Sequence, residues 1–106
     1  VINMYGINEK VYENLLKYFN ENKDINRIIL FGSRAKGNAK INSDIALCID
    51  CTKRSRSKIV DHINEIIGIY SSDILFMDSL NLEIKKQIDK YGIEIYSKYD
   101  NMGALI

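Results

Sequence analysis

"GSRAKGNAKINSDIAL" occupies residues 32–47 and governs the reading of this chain. It follows "RIILF", residues 27–31, an apolar and β-branched run that reads as a buried strand ending at Gly32. Glycine there lets the backbone turn sharply and lets an anion approach the main chain closely. Ser33 offers a hydroxyl and its amide, and a short helix beginning at Ser33 would present free amides to an anion. Arg34 and Lys36 add positive charge nearby. Taken alone, a Gly-Ser turn with basic neighbours is most often just a turn. Neither a Walker A loop nor a dinucleotide fingerprint is present, since Gly37 is followed by Asn38.

The second half of the stretch opens "SDIALCID", residues 43–50, which reads as a second strand. Alternation sends Ile45, Leu47 and Ile49 to one face and Asp44, Ala46 and Cys48 to the other. Positions 44 and 46 therefore lie on one face, about 6–7 Å apart. Two carboxylates so placed would jointly hold Mg²⁺, a hard cation that also binds phosphates. A third, from a neighbouring strand, would complete a site for phosphoryl chemistry, and Asp73 in "SDILFM" (residues 72–77) is the candidate. At position 46, however, the chain carries alanine.

Gly-Ser, ten residues, then Asp-x-Asp resembles the signature of the DNA polymerase β-like nucleotidyltransferase superfamily. Gly32, Ser33 and Asp44 match it at the right spacing, and Asp73 in "SDILF" matches the third aspartate. Within that superfamily "GSRAKG…SDIAL" is most similar to the minimal nucleotidyltransferases (MNT), antitoxins of HEPN/MNT toxin–antitoxin pairs. The resemblance covers nearly the whole chain. It implies a nucleotidyltransferase fold, with Gly32 and Ser33 holding the triphosphate of ATP and Arg34 and Lys36 beside it. It implies Asp44 and Asp73 as catalytic ligands of Mg²⁺. It further implies transfer of AMP from ATP to a hydroxyl, a tyrosine on a HEPN toxin being the expected acceptor.

Ala46 departs from that pattern at the second aspartate. A methyl group cannot coordinate Mg²⁺, and Asp50, four residues further on, is about 13 Å away along the strand. Crippled transfer in an intact fold is the expectation. Alanine is also what an inactivating substitution would leave, and the otherwise intact motif favours that origin over natural loss. The alternative functions are an antitoxin that neutralises its toxin by binding alone and, less favoured in so short a chain, a transferase acting on a small molecule.

The rest of the sequence bounds these readings. At 106 residues the chain is expected to form one domain, residues 1–106. Fifteen Lys and Arg against 14 Asp and Glu leave a net charge of +1, with no strong signal for nucleic acid. No apolar run is long enough to span a membrane and no signal peptide opens the chain, so a cytoplasmic protein is expected. Cys48 and Cys51 have C-x-x-C spacing but too few companion ligands for zinc, so they read as two reduced thiols, with a redox pair as the alternative.

Helices are expected over residues 8–21, with Asn8 as cap and Val11, Leu15, Tyr18 and Phe19 inward, and over 57–70, with Ile59, Ile63, Ile66 and Tyr70 inward. A third carries Leu80, Ile84, Ile88 and Tyr91 and ends at Gly92, and "IEIYS" reads as a last strand. The tail "KYDNMGALI" is ambiguous. These elements make an α/β (α+β) domain, a small mixed sheet flanked by helices whose strand order the pattern does not reveal. The basic run "KRSRSK", residues 53–58, reads as a solvated loop before a helix, with partner or nucleic-acid contact as the functional alternative, and His62 as a surface histidine.

Overall fold

The computed structural model describes residues 4–99. Four strands, β1 (Ile25–Phe31), β2 (Ile45–Cys51), β3 (Ser72–Phe76) and β4 (Ile93–Ser97), form one sheet. Four α-helices accompany them: α1 (Glu9–Glu21), α2 (Ser33–Lys36), α3 (Arg56–Ile67) and α4 (Leu82–Tyr91). The strand order is β3-β2-β1-β4. β1 is antiparallel to both β2 and β4, whereas β2 and β3 are parallel. A parallel pair needs a crossover, and α3 supplies it.

Alternation along the strands assigns each side chain to one of two cores. Ile28 and Leu30 of β1 and Ile45, Leu47 and Ile49 of β2 pack against Leu15 and Phe19 of α1 and Ile59, Ile63 and Ile67 of α3. Each fully buried side chain of this kind contributes about 1.5–3 kcal/mol. On the other face Phe31, Ala46 and Cys48 meet Ile88 of α4, with Leu75, Leu80 and Ile84 alongside. α4 covers that face incompletely: Asp44 and Asp73, just beyond its reach, are exposed.

Local signals account for the helix ends. The Asn8 side chain accepts from the Lys10 and Val11 amides, and that of Asn81 from the Ile84 amide. Several boundaries differ from the sequence expectation. α3 ends at Ile67, capped by Gly68 at φ +59°, so Tyr70 lies beyond the helix and Ile67 takes the buried place expected of Ile66. α4 starts at Leu82, which leaves Leu80 in the turn before its cap. β1 begins two residues earlier than "RIILF", at Ile25, which pairs with Cys51 across a bulge. Cys48 and Cys51 are both free thiols, and the strand turns them to opposite faces. Residues 100–106, most of the ambiguous tail, and 1–3 lie outside the described residues.

Candidate active site

β1 runs into the Gly-Ser turn with Phe31 paired to Ala46. Gly32 has φ +75° and ψ −157°, a region open essentially to glycine alone. A Cβ on Gly32 would also stand 3.3 Å from the Ala46 methyl. The turn is thus folded directly over position 46. α2 begins at Ser33, as the motif suggested, and its first amides lack intrahelical partners.

The carboxylates reach the same place from two directions. Asp44 immediately precedes β2, and the amide of Ile45, next along, donates to the Ser71 carbonyl at 2.8 Å. Asp73 lies on β3 in register with Ala46. Neighbours in register on parallel strands share a face, so Asp73, Ala46 and the Gly32 turn form one row across three chain segments. The apolar neighbours of Ala46, Phe31 and Cys48, close the floor beneath it.

The donor set can be tested against a metal. Asp44 and Asp73 supply hard oxygen ligands of the type Mg²⁺ takes together with substrate phosphates. That fits one ion arriving with a nucleotide. Among the described residues no group of three or more His, Cys, Asp and Glu is placed to hold an ion, and the methyl at 46 offers no ligand. Asp50 does not compensate. It sits at the far end of β2, opposite Arg27, near the Asn26 amide.

The two basic residues of the turn separate. Lys36 is exposed, its ammonium 5.0 Å from the Tyr91 ring, and remains available to an anion. Arg34 is not presented to a ligand in the way the sequence suggested. It is 2% exposed. Its Nη1 donates to the Tyr5 and Gly6 carbonyls at 3.3 and 2.9 Å, and its Nη2 to the Ser43 carbonyl at 2.6 Å. Its guanidinium also lies over the Tyr70 ring. The sequence reading missed Tyr5, Gly6 and Tyr70 as neighbours of the site. The Tyr-Gly pair was the available signal for a turn there, and both residues indeed have positive φ.

His62 is exposed and stacks on Tyr18, 5.1 Å between centroids, away from the carboxylates on the helical face. The basic run lies past the opposite end of β2, where Lys53 and Arg56 pair with Asp78. No helix of the described residues is long and apolar enough to cross a membrane.

A glycine turn folded over Ala46, with Asp73 in register beside it, sits on the mixed sheet of this α+β domain. Residues 13–101 match the family described as Polymerase beta, Nucleotidyltransferase, and the chain belongs to that family. Its fold is that of solved toxin–antitoxin chains. A chain in a mutant of the MntA–HpeT toxin–antitoxin superposes with a TM-score of 0.65 at 18% identity, covering 89% of this chain and 81% of that one. A chain of a toxin–antitoxin with AMP-PNP gives 0.63 at 20% identity, over 93% and 82%. A chain from tri-AMPylated Shewanella oneidensis HEPN toxin in complex with MNT antitoxin gives 0.59 at 14%, over 87% and 75%. No curated protein matches the chain by sequence.

Proposed function

We propose that this chain is an antitoxin of the minimal nucleotidyltransferase type, that its partner is a HEPN toxin, and that its site is designed to move AMP from ATP onto a tyrosine hydroxyl of that partner. The acceptor oxygen would attack the α-phosphorus, the bond to pyrophosphate would break, and the hydroxyl proton would leave to solvent. Asp44 and Asp73 would hold Mg²⁺, which neutralises phosphate charge when bound, while Ser33, the Gly32 turn and Lys36 would hold the phosphates. The carrying observation is the row formed by Gly32, Ala46 and Asp73. Alanine in the middle of that row is the reason transfer should be crippled in this chain.

The test is Ala46→Asp. The parent chain and the variant are incubated with ATP, Mg²⁺ and the HEPN partner, and the partner is read by intact mass. Addition of AMP by the variant at a rate at least about 100-fold above the parent is expected, in line with loss of a group essential to charge stabilisation. No addition by a folded variant would count against the reading. Ala46 itself favours a second possibility, neutralisation by binding alone. If the parent chain protects cells from the toxin as fully as the variant does, binding suffices.

A further inference from the structure

We propose that Arg34 is a positioning residue: it ties the segments carrying both carboxylates to the Gly-Ser turn and so sets the geometry of the nucleotide site without touching the nucleotide. The importance claimed for nucleotide binding rests on the function proposed above; the positioning itself does not.

Arg34 follows Ser33 directly, so anything that fixes it also fixes the turn. Its three hydrogen bonds all go to main-chain carbonyls, in three different residues. One of these is Ser43, whose carbonyl belongs to the peptide that leads into Asp44. The Tyr70 ring, 5.2 Å from the guanidinium carbon, belongs to the loop that leads into β3 and Asp73. Tyr70 continues the chain of contacts, since its hydroxyl accepts from the amide of Asn8, the cap of α1. The remaining two bonds hold the Tyr5–Gly6 turn, where a Cβ on Gly6 would come within 3.0 Å of Nη1.

A lysine could not reproduce this arrangement. Guanidinium is planar and offers five donors in a fixed fork, whereas ammonium is a compact point charge on a flexible stem. Without the fork, the Ser43 peptide and the Tyr70 loop lose their common anchor, and Asp44 and Asp73 lose their fixed relation to Ser33. Among the described residues the buried cation is met by carbonyl dipoles and the Tyr70 ring and by no carboxylate, so its charge is committed to backbone geometry rather than to an ion pair.

The test compares the full chain with Arg34→Lys at a temperature where circular dichroism shows both folded. Peptide-level hydrogen exchange is expected to quicken at least tenfold in residues 38–45 and 68–74 and to stay unchanged in α3, residues 56–67. Mg²⁺-AMP-PNP affinity by calorimetry is expected to fall about tenfold, and much less in an Asp44→Asn background, because the loss acts through Asp44. Unchanged exchange in the two loops with weakened binding would mean a direct phosphate ligand and overturn the proposal. Uniformly faster exchange everywhere would mean a merely structural role and overturn it equally. Should Arg34→Lys not fold, Tyr70→Leu removes the ring and carries the same expectation for residues 68–74, with Tyr70→Phe, which keeps the ring, expected to preserve their protection. A parent chain that binds no AMP-PNP counts against the proposed function alone, and the exchange pattern still decides the positioning.

Discussion

Two arginines stand at opposite ends of β2, and each has a buried Nε with no hydrogen-bond partner among the described residues. There the likeness stops. Arg34, beside the Gly-Ser turn, is closed off from solvent and bound to three carbonyls. Arg56, at the start of α3, keeps about a quarter of its side chain in water, stacks over Phe76 at 4.4 Å and pairs with the exposed carboxylate of Asp78. One spends its donors on backbone from distant parts of the chain. The other makes a surface ion pair, a type of contact that is weak because water and salt screen it. The difference shows why composition alone cannot tell an organising charge from a solvating one: the two residues are the same, and only what surrounds them distinguishes their roles.

The largest expected effect lies at the first arginine. Arg34→Ala leaves the Tyr5, Gly6 and Ser43 carbonyls without their donors and opens a cavity, and should cost about 3–5 kcal/mol of stability by urea unfolding. A loss below roughly 1 kcal/mol would erase the contrast with Arg56. Next comes Gly32→Ala, which forces a side chain into a glycine-only region against Ala46 and should cost about 1–3 kcal/mol. Stability equal to the parent would mean the turn can relax away from position 46.

A third effect tests the floor of the site between the two arginines. Burial pushes the Cys48 thiol up from 9.0 to about 11. The unfolded chain therefore gives up this proton first, and the contribution present below pH 9 is lost as pH rises toward 11. With allowance for solvent screening it amounts to about 1–2 kcal/mol. The decline of stability across that window should be shallower in Cys48→Ala, as followed by unfolding at a series of pH values. An identical slope would show that other groups, such as Tyr12, whose hydroxyl burial also pushes up, carry it instead.

The smallest effect belongs to the second arginine. Its hydrogen bond holds the Asp78 carboxyl below the usual carboxylate range. The stability this supplies is present above the ordinary carboxylate pKa and disappears as pH falls through the lowered one. Arg56→Ala should shift the unfolding midpoint slightly at low salt and not at all at high salt. A salt-independent loss would assign Arg56 a packing role on Phe76 rather than an electrostatic one.

How far the sequence carries can be judged on these same residues. "IEIYS" is β4 residue for residue, and the alternation in "SDIALCID" sorted its side chains between the two cores correctly. Period-two patterning and an Asx cap are local properties, and local properties are legible. The spacing from Gly32 to Asp44 is local too, and the family match bears out the nucleotidyltransferase family it suggested. The environment of Arg34 was not legible, because two of its three carbonyl partners lie 28 and 29 residues away in a turn with no apolar pattern. Tyr70 was read as part of a helix face because its spacing fits. Gly68 ends the helix first and turns the ring toward the arginine. Strand order likewise depends on how the helices cross the sheet, which periodicity does not encode.

The mixed topology also sets an order of events. Gly32 and Ala46 are joined by an antiparallel pair with only a short connection, whereas Asp73 reaches its register only after α3 has closed the parallel crossover. Loop closure over a longer stretch of chain is slower. In refolding followed by pulsed hydrogen exchange, amides of the β1–β2 pair should gain protection before those of β3. Simultaneous protection of all three strands would contradict this. The candidate site then becomes whole only after the β1–β2 pair has formed, and a nascent or damaged chain would lack it while already holding that pair.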